Sequence, residues 1–268
     1  MKNKNKKVKK TTTTTTTTVV EEMVNDSILE THYLLILDKS GSMGSVRKAT
    51  IDNFNEQVQT IKGLEKKYPN QKYYVSLITF SNDMEFVFKD LPASEVKELT
   101  YDSYSPDGGT ALLHAMGQGI TLLEDKLTPL MNEVNSGKEV SAIVVVMTDG
   151  GENASYYLPE QWTQERVKNL VEKLNENKGW TINFLGANQD SFLVGSSYGF
   201  AHGNTMNFAA STSGVANIGQ VLSRSLNNRA ASYTTSGSLD MMQNDTYFSS
   251  VVDNTQTVTG EETDTEKA

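Results

Sequence analysis

The 268-residue chain contains no cysteine. That excludes a disulfide framework, thiolate metal sites and a cysteine nucleophile together. Histidine is nearly as scarce, with only His32, His114 and His202. A His-rich zinc site or a His-dependent hydrolase therefore has few residues to draw on. Long apolar runs are missing as well. The longest, Tyr33–Leu37 and Ala142–Met147, fall far short of the roughly 20 residues that span a bilayer. The Lys-rich start is followed by Thr11–Thr18 and Val-Val-Glu-Glu instead of an apolar stretch. It therefore does not read as a signal peptide, and the expected compartment is the cytoplasm. Neither a P-loop nor a G-x-G-x-x-G is present, so nucleotide binding has no motif.

Acid outweighs base. The formal net charge is −9, and residues 1–10 hold six Lys and no acid, which leaves −15 on the rest. An acidic body repels phosphate, so the folded part is not expected to bind nucleic acid. Hydrophobic residues make up 37% of the chain, enough for one core. Residues 1–29 comprise a Lys/Asn block, eight Thr and the acidic stretch Glu21–Asp26. With no periodic apolar face, they read as a disordered tail. Residues 231–268 read the same way, turning Ser/Thr/Asn-rich with seven acids and one Lys from Gly237 onward. Within them, Tyr247-Phe248 and Met241-Met242 stand out as able to dock. One domain is expected over 30–230, with both tails dispensable for folding.

Inside that domain strands alternate with helices. Tyr33–Leu37 is a continuous apolar run ending at Asp38, which suits a strand buried on both faces. Apolar residues then recur at Ile51, Phe54, Val58, Ile61 and Leu64, the steps of three and four that mark one helix face. Tyr73–Phe80 and Met84–Phe88 flank a tight Ser81-Asn-Asp turn, which implies an antiparallel hairpin. Further helices are marked by Leu112–Leu127, Val167–Leu174, Phe192–Tyr198 and Val215–Leu226, and further strands by Val140–Met147, Thr181–Leu185 and Thr205–Phe208. The pattern predicts an α/β fold: a doubly wound, mostly parallel central sheet with one antiparallel edge strand and helices on both faces.

In such sheets ligands sit beyond the carboxyl ends of the strands. The first strand runs into Asp38-Lys39-Ser40-Gly41-Ser42, the loop before the second long helix carries Gly108-Gly109-Thr110, and the strongest strand runs into Thr148-Asp149-Gly150. Two carboxylates and three hydroxyls therefore meet at predicted strand tops. All are oxygen donors, the chemistry a hard divalent cation such as Mg²⁺ requires. Taken singly, each motif also has a plainer reading. Asp38 or Asp107 would serve as a helix cap, and Ser and Thr are common in turns. Glu152 and Asn153 either rim the site or belong to a polar loop. Asp107 is left open between an outer position, a cap and a solvated loop residue.

Together and in this order, the three motifs resemble the von Willebrand factor A domain, over about residues 31–228. The resemblance implies a metal-ion-dependent adhesion site holding Mg²⁺ or Mn²⁺. Ser40, Ser42 and Thr110 would be direct ligands, and Asp38 and Asp149 outer ones. A protein partner would donate an Asp or Glu to the ion. The resemblance also implies a low- and a high-affinity arrangement, with the last helix as the moving part.

The expected function is cation-dependent protein binding, not catalysis. The alternatives are a metal-assisted hydrolase or phosphatase, and a scaffold with a vestigial site. Gly195-Ser196-Ser197-Tyr198-Gly199 matches G-x-S-x-G, but it lacks the preceding strand and the later acid and His of a nucleophile elbow. A haloacid-type phosphatase would need a second Asp where Ser40 stands. Trp162 and Trp180 are expected to pack or to flank helices, not to bind sugars.

Overall fold

The computed structural model describes residues 27–133, 137–187, 190–239 and 245–248. Six strands form one sheet: β1 (Ile28–Asp38), β2 (Gln71–Phe80), β3 (Met84–Pro92), β4 (Lys138–Thr148), β5 (Trp180–Ala187) and β6 (Thr205–Phe208). Their order is β3-β2-β1-β4-β5-β6. Every pairing is parallel except β2 with β3, the expected hairpin at the edge.

The chain winds outward from β1 to β3, then returns to the centre at β4 and winds the other way. The winding reverses between β1 and β4, where Leu37 pairs with Met147 and the next residues are Asp38 and Thr148. That is the crevice where an open parallel sheet holds its ligands.

Among the described residues five α-helices cover the sheet: α1 (Arg47–Lys67), α2 (Leu112–Met131), α3 (Gln164–Asn175), α4 (Ser191–Ser197) and α5 (Thr212–Ser236). Alternate residues of each strand face opposite sides, so β1 feeds two cores. Tyr33, Leu35 and Leu37 pack with α1 and α5. Leu34 and Ile36 pack with α2 and α3. The apolar face predicted for α1 is buried throughout, from Ile51 to Leu64. Trp162 and Trp180 are core residues as expected. Trp162 lies so close to α2 that a Cβ on Gly117 would come within 2.0 Å of its ring.

The polar contacts of α5 are as specific as its apolar ones. Gln57 of α1 donates to the Gly219 carbonyl at 2.9 Å, and Gln71 of β2 donates to the Ala230 carbonyl at 2.8 Å.

Both domain boundaries differ from those read in the sequence. Strand β1 begins at Ile28, two residues before the expected start at 30. At the other end, α5 continues past 230 to Ser236 and closes on Gly237, whose φ of 70° is the left-handed form that glycine adopts freely. Tyr233 on the added turn is fully buried. Leu239 packs with it against Leu29. Tyr247 and Phe248 lie in the α1/α5 core, with the Tyr247 amide donating to Asn204 Oδ1 at 2.9 Å and the Phe248 amide to the Gly203 carbonyl at 3.1 Å. The Ser/Thr/Asn-rich, acidic composition masked these few apolar anchors. The remaining tail residues, 1–26, 240–244 and 249–268, lie outside the described residues.

A chain of residues 28–231 is therefore expected to melt well below the full chain, because it loses three large buried side chains beyond Tyr233, each worth about 1.5–3 kcal/mol of burial, and Tyr233 itself. A chain of residues 27–248 is expected to match the full chain within a few degrees. Thermal unfolding followed by circular dichroism compares the two.

Candidate metal centre

Asp38 ends β1 and is fully buried. A buried carboxylate needs donors, and the local backbone provides them. Its Oδ1 accepts the Ser40 amide at 2.6 Å, because the chain turns directly after the strand. Its Oδ2 accepts the Thr148 hydroxyl at 2.6 Å from the end of the neighbouring strand. Burial pushes the Asp38 carboxyl above the usual range. The bonds from Thr148 and Ser40 pull it back down, and the Asp149 charge adds to the rise.

The hydroxyls follow in order. Ser42 sits in a 3-10 turn, Gly41–Val46, that opens toward the Asp149 loop. Ser40 Oγ and Ser42 Oγ are 3.1 Å apart, and Ser42 Oγ donates to Asp149 Oδ1 at 2.6 Å. Thr110 is buried, and a Cβ on Gly150 would meet its Oγ1 at 3.4 Å and Ser42 Oγ at 3.9 Å. All five residues read from the sequence thus gather at one place.

Three loops are tied together by backbone bonds. Lys39 accepts the Asp107 amide at 2.8 Å, and the Gly41 amide donates to Gly108 at 3.1 Å. The Thr110 amide donates to Asn153 Oδ1 at 2.8 Å, while the Asn153 amide donates back to the Thr110 carbonyl at 3.0 Å. Asn82, in the β2–β3 turn, accepts the Gly109 amide at 2.8 Å. Tyr104 is buried and donates from its hydroxyl to the Asp38 carbonyl at 2.6 Å.

Three of these supporting roles escaped the sequence reading: Thr148, Asn82 and Tyr104. Thr148 stood inside a quoted motif, and Asn153 was left open between the rim of the site and a polar loop. Asn82 and Tyr104 act across the fold from loops and carry no periodic signal. Asp107 is an exposed loop residue whose Oδ1 accepts the Gly108 amide at 2.8 Å. Glu152 does not rim the site. It accepts the Leu113, Ala154 and Ser155 amides and the Ser155 hydroxyl, all within 2.8 Å. It thereby places a negative charge at the start of α2, whose own cap residue is Ala111.

The donors suit a hard, small cation. Two ligands on adjacent corners of an octahedron with bonds of 2.0–2.1 Å are separated by about 2.9 Å. The Ser40–Ser42 spacing of 3.1 Å is close to that. Two carboxylates nearby match a divalent charge. Among the described residues no group of three or more His, Asp and Glu forms a conventional metal cluster, since three of the five donors here are hydroxyls.

The profile of the von Willebrand factor type A domain matches residues 34–218. The chain belongs to the von Willebrand factor type A family. Solved structures with a similar fold include a von Willebrand factor type A protein from Catenulispora acidiphila, at 13% identity and TM-score 0.48, covering 72% of this chain and 42% of that one. Proximal thread matrix protein 1 from the mussel byssus, described with a zinc-occupied MIDAS motif, is 16% identical with TM-score 0.46, covering 73% and 48%. The domain of the type V pilus tip protein Mfa5 from Porphyromonas gingivalis is 11% identical with TM-score 0.49, covering 76% and 97%. This chain thus spans under half the length of the first two. No helix among the described residues is long and apolar enough to cross a membrane.

The loop ties predict a coupling between glycine and asparagine. A Cβ at Gly109 would lie 2.7 Å from Asn153 Oδ1 and 3.0 Å from Asn82 Oδ1. Asn153→Ala should cost about 1 kcal/mol through the lost Thr110 amide bond. Gly109→Ala should cost more in the wild type than in an Asn153→Ala background, where one clashing atom is gone. A double-mutant cycle from urea unfolding measures this, and additive effects would contradict the geometry.

Proposed function

We propose that this chain is a divalent-cation-dependent protein-binding module. Ser40, Ser42 and Thr110 hold Mg²⁺ or Mn²⁺ directly, Asp38 and Asp149 act as outer ligands, and a partner's Asp or Glu completes the coordination. The observation that carries this reading is the convergence of three neutral hydroxyls on two restrained carboxylates. Asp38 is held back by its bonds to Ser40 and Thr148, and Asp149 by Ser42. Neutral direct ligands leave most of the ion's charge available to an incoming carboxylate. When bound, the cation would supply that electrophilic centre.

Hydrolysis is the weaker reading. It needs a base within reach of the reacting atoms. Glu152, the acid that follows Thr148-Asp149-Gly150 in the chain, has both oxygens occupied by four donors. His114 faces Asp83 at 3.5 Å. Ser197 of the G-x-S-x-G sequence ends a helix and donates to the Val194 carbonyl at 2.7 Å.

Two experiments test the proposal. Mg²⁺ should raise the melting temperature of the wild type and leave that of Asp149→Ala unchanged. In chelator, Asp149→Ala should melt no lower than the wild type, since it relieves repulsion with Asp38. Thr110→Ala should retain Mg²⁺ binding within about tenfold, because the carboxylates remain, yet lose binding of an acidic peptide. Normal peptide binding by Thr110→Ala, together with indifference of the wild type to chelator, would refute the reading. Separately, phosphatase and esterase assays with Mg²⁺ or Mn²⁺ should show no turnover that disappears in Asp38→Ala. Reproducible Asp38-dependent hydrolysis would establish the enzyme reading instead.

A further inference from the structure

Around the metal centre the surface is aromatic and acidic. Tyr156 and Tyr157 are 60% and 76% exposed, with ring centroids 3.9 Å apart. They follow directly on Ser155, whose hydroxyl accepts the His114 amide at the start of α2, and on Ala154, whose Cβ lies beside Gly109. On the other side Tyr101 is 52% exposed. Arg47, at the start of α1, fixes that loop by donating to the Tyr101 and Tyr104 carbonyls. Tyr156 and Tyr157 thus adjoin the Gly109–Thr110 loop, while the Tyr101 face is taken by the Arg47 guanidinium.

Charge narrows what these rings would meet. Asp102 and Asp107 are exposed on the loop before Gly108, and Asp83 on the β2–β3 turn that Asn82 ties to Gly109. Lys39 is paired with Glu85, Lys48 with Asp52 and Arg166 with Glu160, while Arg47 keeps its charge and is held against the two carbonyls and the Tyr101 ring. A cation at the centre attracts any carboxylate, but this acidic rim repels one that arrives among other acids. A tyrosine face attracts a cation. The molecule already shows this, with the Arg47 guanidinium 4.7 Å from the Tyr101 ring centroid.

We propose that this end selects a protein segment whose Asp or Glu is flanked by Lys or Arg, the carboxylate going to the cation and the basic side chains to Tyr156 and Tyr157. The inference rests on the carboxylate-binding reading above and names the partner's chemistry.

The test uses four short peptides on one Gly/Ser frame, titrated into the full chain with Mg²⁺ and with chelator, by fluorescence anisotropy. Three carry a central Asp flanked by Lys, Ser or Glu. The fourth is the Lys-flanked peptide with Asn at the centre. The Lys-flanked Asp peptide should bind about tenfold tighter than the Ser-flanked one, and the Glu-flanked one weakest, with the spread shrinking at high salt. A Tyr156→Ser, Tyr157→Ser double variant should abolish the preference for Lys flanks while binding the Ser-flanked peptide as the wild type does. Equal binding of Lys- and Ser-flanked peptides, or a preference that survives in the double variant, overturns this inference alone, provided binding still needs Mg²⁺. Equal binding of the Asn-centred and Asp-centred peptides, or no Mg²⁺-dependent binding of any peptide, overturns the carboxylate reading beneath it.

Discussion

Everything at the functional end depends on one buried charge. Asp38 ends a central strand between two other strands, where water does not reach it. A carboxylate in that position is tolerated only with donors on both oxygens. The chain supplies one by turning immediately, so that the Ser40 amide comes back to it, and the other from Thr148 across the β1–β4 pair. The same turn that satisfies Asp38 sets the Ser40 and Ser42 hydroxyls beside each other. The hydroxyl pair is thus a geometric consequence of how the buried carboxylate is accommodated.

A second constraint comes from connectivity. Thr110 lies far from Asp38 and Asp149 in sequence, so its hydroxyl is placed only if its loop is held. Two backbone bonds hold it, Gly41 to Gly108 and Asp107 to Lys39, and Thr110 exchanges bonds with the Asn153 side chain and amide. Glycine at 109 is required because Asn82 and Asn153 occupy the space a side chain would fill. Backbone pinning leaves the side-chain oxygens free to face one point. Glu152 completes the arrangement from outside. By neutralising the start of α2 it fixes the helix that follows Thr110, and this engagement takes it out of contention as a catalytic base.

Much of this was legible in the sequence, and for identifiable reasons. Strands buried on both faces leave runs such as Ile143–Val146, and helices such as α1 leave a three-four period. These signals placed every strand and α-helix among the described residues. The proximity of the five candidate residues was legible because strand tops are where a parallel sheet puts its chemistry. What stayed hidden acts through single contacts without period. Asn82 looks like an ordinary loop asparagine until the loops meet. Tyr247 and Phe248 were noticed as able to dock but assigned to a tail, because the acidic composition around them outweighed two aromatic residues. Burial of a few anchors suffices to order a segment that composition alone marks as tail.

Selectivity poses a separate demand. In the proposed reading the cation supplies attraction for a carboxylate, and nearly every protein surface displays carboxylates. Affinity at the centre therefore does not discriminate among partners. Discrimination has to come from groups that surround the centre and respond to what lies next to the incoming acid. Tyr156 and Tyr157, with Asp83, Asp102 and Asp107, are such groups: exposed, on the ligand loops or the neighbouring β2–β3 turn, and outside the packed core. Their separation from the core means they can vary without disturbing Asp38 or the loop ties. A fold with a fixed centre and an independent rim can thus keep one chemistry while changing what it recognises.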